Sequence, residues 1–136
     1  MMSRIYMEKI LIITYYFPPC NRTPAARIAS WAENLYKDGY YPVVVTRKWE
    51  RDIKKLSDTS VPTSGGVEHQ RHKHYEVYYL PFQGTLKDRL FYKYGNSQFV
   101  FLRKLATAWE LFFQNFAWGV SHLKPFQQFC TAYLSK

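Results

Sequence analysis

The sequence predicts an α/β fold, Rossmann-like, in which a mainly parallel sheet is flanked by helices. Two observations carry this prediction: residues 9–15 and 41–46 are largely continuous apolar runs, and a segment with helical periodicity separates them. Strands that are apolar on both faces are typical of parallel sheets, because helices cover both sides of such a sheet. The two strands and the helix therefore form a βαβ unit, whose crossover should be right-handed.

The helix of this unit has recognisable ends. Thr23 occupies a favourable N-cap position, and Pro24 follows at the first helical position, where its missing N–H costs nothing. Gly39 ends the helix, because glycine adopts the left-handed conformation without strain. The apolar residues of one helix face recur at three- and four-residue spacing and are Ile28, Trp31, Ala32 and Leu35.

Later segments supply a third strand at residues 75–80 and helices at 86–94, after Ser97 and from Pro125. The helix after Ser97 is strongly amphipathic, and its apolar residues are Leu102, Leu105, Ala106, Trp109, Phe112, Phe113 and Phe116. Three interpretations of this helix stay open. It packs on the sheet as core, it lies on a membrane, or it pairs with another chain.

The loop between the first strand and the first helix is the candidate binding site. It lies at the carboxyl end of the strand, where open α/β sheets bind ligands, and it leads into a helix N-terminus that favours phosphate or carboxylate. The candidate substrate-binding residues are Pro19, Cys20, Asn21, Arg22, Thr23 and Arg27. The alternative is that the two prolines only stop the strand and that Asn21-Arg22 is an exposed turn.

Residues 9–19 read Lys-Ile-Leu-Ile-Ile-Thr-Tyr-Tyr-Phe-Pro-Pro, and Arg27, Trp31, Leu35, Gly39 and Val43-Val44-Val45-Thr46 follow. This pattern resembles the opening of family 4 glycosyltransferases, whose first strand typically ends in Tyr-Phe-Pro-Pro. Residues 75–81 are similar to the third strand of that family. The chain departs from it in two respects. Many members carry a Gly-Gly pair where this chain has Cys20-Asn21-Arg22, and the sequence ends before the Glu-rich donor motif that lies in the family's second half.

The resemblance implies the GT-B arrangement, in which two Rossmann-like domains face each other across a cleft. The implied reaction moves a sugar from a nucleotide-sugar donor to a glycan or a lipid-linked acceptor. Residues 1–136 would form a single, partial, acceptor-side domain, and the loop after the first strand would line the cleft. The donor domain belongs to the family's second half, so the chain is expected to be inactive alone or to need a second polypeptide that supplies it. The nucleotide sugar is a substrate, no cofactor is expected, and no catalytic residue is assigned because no complete constellation is recognisable.

Composition supports an alternative function. Lys and Arg total 19 against 10 Asp and Glu, a formal net charge of +9, and aromatic residues make up 19% of the chain. Cationic charge mixed with aromatic rings suits an anionic membrane surface. The alternative is therefore a basic, aromatic membrane-surface binding module without catalysis. Nucleic acid is not an expected partner, because the sequence has no RNA-binding aromatic signature, zinc finger or helix-turn-helix pattern.

Several patterns predict the compartment. No apolar run reaches the roughly 20 residues that a membrane span requires. Met1 to Glu8 lacks the pattern of a signal peptide, and Cys20 and Cys130 fit no metal or redox spacing. These observations predict a reduced, cytoplasmic protein, peripheral at the inner face of the membrane if its partner is lipid.

Residues 57–74 are predicted to form a flexible loop within the domain, because 57–66 is rich in Ser, Thr, Pro and Gly. His69, His72 and His74 follow among basic neighbours. No carboxylate or cysteine completes a metal-ligand set, and nearby cations disfavour another cation. The histidines are therefore interpreted as surface residues that precede a strand, and no metal is expected.

Overall fold

The computed structural model describes residues 7–50, 52–54, 56–95, 97–116 and 123–136. The strands in these ranges are β1 (Glu8–Ile13), β2 (Tyr40–Arg47), β3 (Glu68–Arg71) and β4 (Glu76–Leu80). The helices are α1 (Thr23–Asn34), α2 (Leu86–Tyr94), α3 (Val100–Phe116) and α4 (Lys124–Leu134), and 3₁₀ turns cover Leu35–Asp38 and Leu56–Ser60. Most of the segment tested for a signal peptide lies outside the described residues.

The chain divides into two compact units. The sheet unit comprises Met1–Asp52 and Gly65–Pro81, and the helical unit comprises Ile53–Ser64 and Phe82–Lys136. The four strands and α1 belong to the sheet unit, whereas α2, α3 and α4 belong to the helical unit. The assignment of residues 1–136 to one partial domain stays a prediction.

The four strands form one sheet in the order β1-β2-β4-β3. β1 pairs in parallel with β2, with Leu11 opposite Val43, and β2 pairs in parallel with β4, with Val45 opposite Tyr78. β3 pairs antiparallel with β4. The predicted α/β class with a mostly parallel sheet flanked by helices is confirmed, and the arrangement is compatible with a Rossmann-like fold.

The core of the sheet unit forms where α1 covers β2 and β4. Phe17, Ala32, Val44, Val77 and Tyr79 are buried together, and Ile12, Ile28, Ala29 and Tyr75 pack against this cluster. The predicted apolar face of α1 is wrong at Trp31, which is 53% exposed. Successive helical residues are separated by about 100°, so Trp31 lies well to one side of the face that Ala25 and Ala32 bury.

The N-cap of α1 differs by one residue from the prediction, and the α-helix ends at Asn34, so that a 3₁₀ turn, Leu35–Asp38, leads to Gly39. Arg22, not Thr23, occupies the N-cap position with φ −82° and ψ 147°, and no side chain caps the helix. The helix begins earlier because the Arg22 carbonyl accepts hydrogen bonds from the N–H groups of Ala25, at 2.9 Å, and Ala26, at 3.4 Å. Gly39 is left-handed with φ 86°, as its role at the end of the helical segment requires.

The segment 57–74 contains two elements that the sequence pattern does not indicate, the 3₁₀ turn Leu56–Ser60 and strand β3. All four residues of β3 are exposed. The strand therefore depends on its ladder with β4 and not on burial of its side chains. Whether the segment is mobile stays a prediction.

Candidate functional site

The loop after β1 is fixed to the sheet at several points. Phe17 is 2% exposed and belongs to the core of the sheet unit. The Tyr79 hydroxyl donates a hydrogen bond to the Pro18 carbonyl at 2.9 Å, and the Cys20 N–H donates to the Phe17 carbonyl at 3.1 Å. The Pro18-Pro19 peptide bond is cis. The loop is thus held at the carboxyl ends of the parallel strands.

The structure places the six predicted site residues in two environments. Cys20 is buried, and the other five are exposed, namely Pro19, Asn21, Arg22, Thr23 and Arg27. These exposed residues belong to the loop and to the first turns of α1. Their roles in binding stay predictions.

The N-terminus of α1 offers a positive end to this loop. Its first turn contains no acidic residue, and no side chain occupies the cap. The helix dipole therefore adds to the charges of Arg22 and Arg27, without a carboxylate in the first turn to neutralise them. An anionic group of a ligand would be favoured here.

Cys20 is not prepared for nucleophilic chemistry. Burial raises the pKa of its thiol, and the N–H of Arg22 and the charges of Arg22 and Arg47 offset this effect only in part. A thiol with a raised pKa stays protonated at neutral pH, and the thiolate is the reactive form. Cys20 therefore contributes packing to the loop.

An aromatic cluster that the sequence interpretation missed surrounds Arg47 at the end of β2. Arg47 is 1% exposed, and its guanidinium carbon lies 3.9 Å from the ring centre of Trp49 and 5.1 Å from that of Tyr15. Arg47 Nη1 donates to the Tyr15 hydroxyl at 2.5 Å. Tyr16 stacks on Trp49, with ring centres 5.7 Å apart and planes 14° from parallel. The signal for this cluster was available, because parallel strands end at one edge and these residues follow β1 and β2.

The indole nitrogen of Trp49 lies in an unusual environment. This Nε1 atom is buried and has no hydrogen-bond partner among the residues that the structure describes. An unpaired buried donor costs about 1–3 kcal/mol, so its presence calls for an explanation. Trp49 contacts Tyr15 and Tyr16, which precede the candidate loop. It therefore joins the predicted residues as a candidate for ligand contact.

His69, His72 and His74 lie on and beside the β3–β4 hairpin. His69 Nε2 is 2.9 Å from Glu76 Oε2, and its ring stacks on Tyr78 at 4.3 Å. His72 stacks on Tyr75, and His74 stacks on Tyr36.

Within the described ranges, no group of three or more His, Cys, Asp or Glu side chains could hold a metal ion. Each of these three histidines thus has an aromatic partner that accounts for its position.

Comparisons of the chain with protein-family models, curated proteins and solved structures give no match. Among the helices of the described ranges, none has both the length and the apolar character needed to cross a membrane.

Proposed function

We propose that this chain is the acceptor-side part of a GT-B type glycosyltransferase. The reaction would transfer a sugar from a nucleotide-sugar donor to a hydroxyl of a glycan or lipid-linked acceptor. The observation that carries the proposal is the Tyr15–Pro19 loop, which is fixed at the carboxyl end of β1 and leads into α1. Ligands of open α/β sheets bind at this edge.

The exposed residues of the loop have distinct roles in this proposal. Asn21 and Arg22 orient the acceptor or contact the phosphates of the donor across the cleft, and Arg27 supports them from the first turns of α1. The exposure of all three residues leaves their side chains accessible to a ligand. Cys20 lies where many members of the resembling family carry glycine, and its side chain is buried.

The two edges of the sheet support a role as part of a larger assembly. The β3 edge is short, polar and exposed, as is usual for a sheet edge in water. β1 forms the opposite edge, and its sequence Ile10–Ile13 is apolar, with Ile13 59% exposed. No strand among the described residues pairs with the outer side of β1. In the proposal, donor binding requires a further domain, on the same polypeptide or on a second one.

A binding experiment tests the proposed site. The ¹⁵N-labelled chain is titrated with a panel of glycan acceptors, and backbone amide shifts are recorded. Shifts should cluster at residues 20–27 and at the Trp49 indole N–H. Arg22→Ala should weaken binding about tenfold, because a hydrogen bond to a charged group contributes roughly 1.5–3 kcal/mol.

Lys37→Ala is the matched control, since Lys37 is an exposed cation after the far end of α1 and bonds only to Asn34 Oδ1 among the described contacts. It should retain the affinity of the unaltered chain. The assignment would be refuted if no ligand shifted the amide signals of residues 20–27. It would also be refuted if the shifts in Arg22→Ala matched those of the unaltered chain.

A second candidate function is binding to a membrane surface without catalysis, at the inner face of the membrane. One observation favours it: α3 exposes Phe101, Leu105 and Trp109, at 76%, 58% and 66%. The two candidates differ in their dependence on an acceptor glycan. Binding to anionic vesicles with no response to any acceptor glycan favours the second.

A further inference from the structure

The polar face of α3 is turned toward α2. Arg103 Nη1 donates to the Gly95 carbonyl at 3.0 Å, and its guanidinium carbon lies 5.3 Å from the ring centre of Phe91. Lys87 of α2 forms an ion pair with Glu110 of α3, with Nζ and Oε2 separated by 3.6 Å. The charged residues of α3 that face α2 therefore already have partners within the helical unit.

The apolar face of α3 is turned outward. The exposed large apolar residues of this helix are Phe101, Leu102, Leu105, Trp109, Leu111, Phe112 and Phe113, each at least 41% exposed. Leu102, Leu105 and Trp109 recur at three- and four-residue spacing, which places them on one side of the helix. The apolar face of α3 is therefore exposed and is not packed into a core.

The net charge of the helical unit indicates which kind of partner the apolar face of α3 would bind. The helical unit contains nine Lys and Arg against three Asp and Glu, which is +6 of the chain's net +9. Lys104 is exposed within the apolar stretch of α3, and Lys93 and Arg89 are exposed on α2. A second copy of this chain would carry the same positive charge and would be repelled, whereas an anionic surface would be attracted.

We propose that α3 is the element that seats this chain on an anionic lipid surface. The helix lies parallel to the surface, because its α2-facing side carries Arg103 and Glu110 and must stay out of hydrocarbon. Trp109 and the phenylalanine rings enter the interfacial layer, while lysines contact the headgroups. The inference rests on the second candidate function and is independent of sugar transfer.

Vesicle sedimentation tests this inference with the full chain. Vesicles of phosphatidylcholine alone are compared with vesicles that also contain about 25% phosphatidylglycerol, an anionic lipid whose surface attracts basic residues. The chain should bind the anionic vesicles, and raising NaCl from about 0.1 M to about 0.5 M should release most of it, because salt screens the attraction.

Trp109→Gln and Trp31→Gln form a matched pair, because both tryptophans are exposed, at 66% and 53%, and Trp31 lies in α1 of the other unit. Trp109→Gln should weaken partitioning at least fivefold, whereas Trp31→Gln should change it less than twofold. Far-UV circular dichroism verifies that both variants keep their helices.

Three results would overturn the inference. If Trp109→Gln and Trp31→Gln weakened vesicle binding equally, the chain would still bind membranes, but α3 would not be the element that contacts them. No binding to either vesicle type would remove both the inference and the second candidate function. The third result is that the chain fails to bind vesicles and forms a concentration-dependent dimer that Trp109→Gln, but not Trp31→Gln, dissociates. That result would show that the apolar surface of α3 contacts a second copy of the chain.

Discussion

At the scale of single residues, Tyr79 connects the sheet to the candidate loop. It is 6% exposed, and its hydroxyl donates to the Pro18 carbonyl at 2.9 Å. Tyr79→Phe removes the donor and should lower the free energy of unfolding by about 1 kcal/mol at pH 7, as measured by urea denaturation. Tyr92→Phe is the control, because Tyr92 is 48% exposed and should cost far less. Equal losses for the two variants would contradict the structural role of Tyr79.

The same variant has a distinct signature at alkaline pH. Burial, with smaller effects from Tyr75 and Glu68, raises the pKa of Tyr79 to about 12, whereas an unfolded chain titrates near 10. The folded protein therefore holds the proton more tightly, and the stability from Tyr79 is full below pH ~10 and lost as pH rises toward ~12. The difference in unfolding free energy between the unaltered chain and Tyr79→Phe should shrink over this range. A constant difference would show that Tyr79 titrates normally.

Arg47 and Trp49 show why part of the site escaped prediction. In sequence they follow an apolar run and read as a polar exit from a strand. In the structure Arg47 is 1% exposed because Trp49 and Tyr15 cover its guanidinium group. Burial of a cation by aromatic rings from two strand ends is a tertiary effect, which local pattern alone does not reveal.

At the scale of elements, β1 is an apolar strand at a sheet edge, and none of its residues is fully buried. Ile13→Lys should reduce aggregation of the isolated chain, measured by static light scattering, because a charge on an edge strand discourages intermolecular pairing. Its effect on unfolding free energy should be small, since Ile13 is 59% exposed. Val67→Lys, at a residue 49% exposed near β3, is the control and should leave aggregation unchanged. Equal aggregation of both variants would argue against the β1 edge as the contact.

The sequence predicts elements whose capping residues or apolar spacing are recognisable locally. It does not predict elements that form only by pairing with a distant strand. The helix at 86–94 is found at Leu86–Tyr94, where Thr85 and Asp88 form a capping box. β3 was missed, because Glu68–Arg71 has no apolar alternation and exists through its ladder with β4. α3 was recognised as amphipathic, but the direction of its apolar face depends on how Arg103 and Glu110 meet α2, which spacing alone cannot supply.

At the scale of the whole molecule, the sheet has the strand order β1-β2-β4-β3. Three parallel strands with a helix between the first two are found in proteins of many activities, so the fold alone does not select sugar transfer. The proposal depends instead on the loop after β1, which leads into the N-terminus of α1.

Reading the DNA that follows the Lys136 codon in all three frames tests the proposal that this chain acts with a donor-binding domain. We expect a coding segment for a second Rossmann-like domain with a Glu-rich donor motif, either continuous with this chain or in a neighbouring frame. Unrelated coding sequence at that locus would refute the proposed role in sugar transfer.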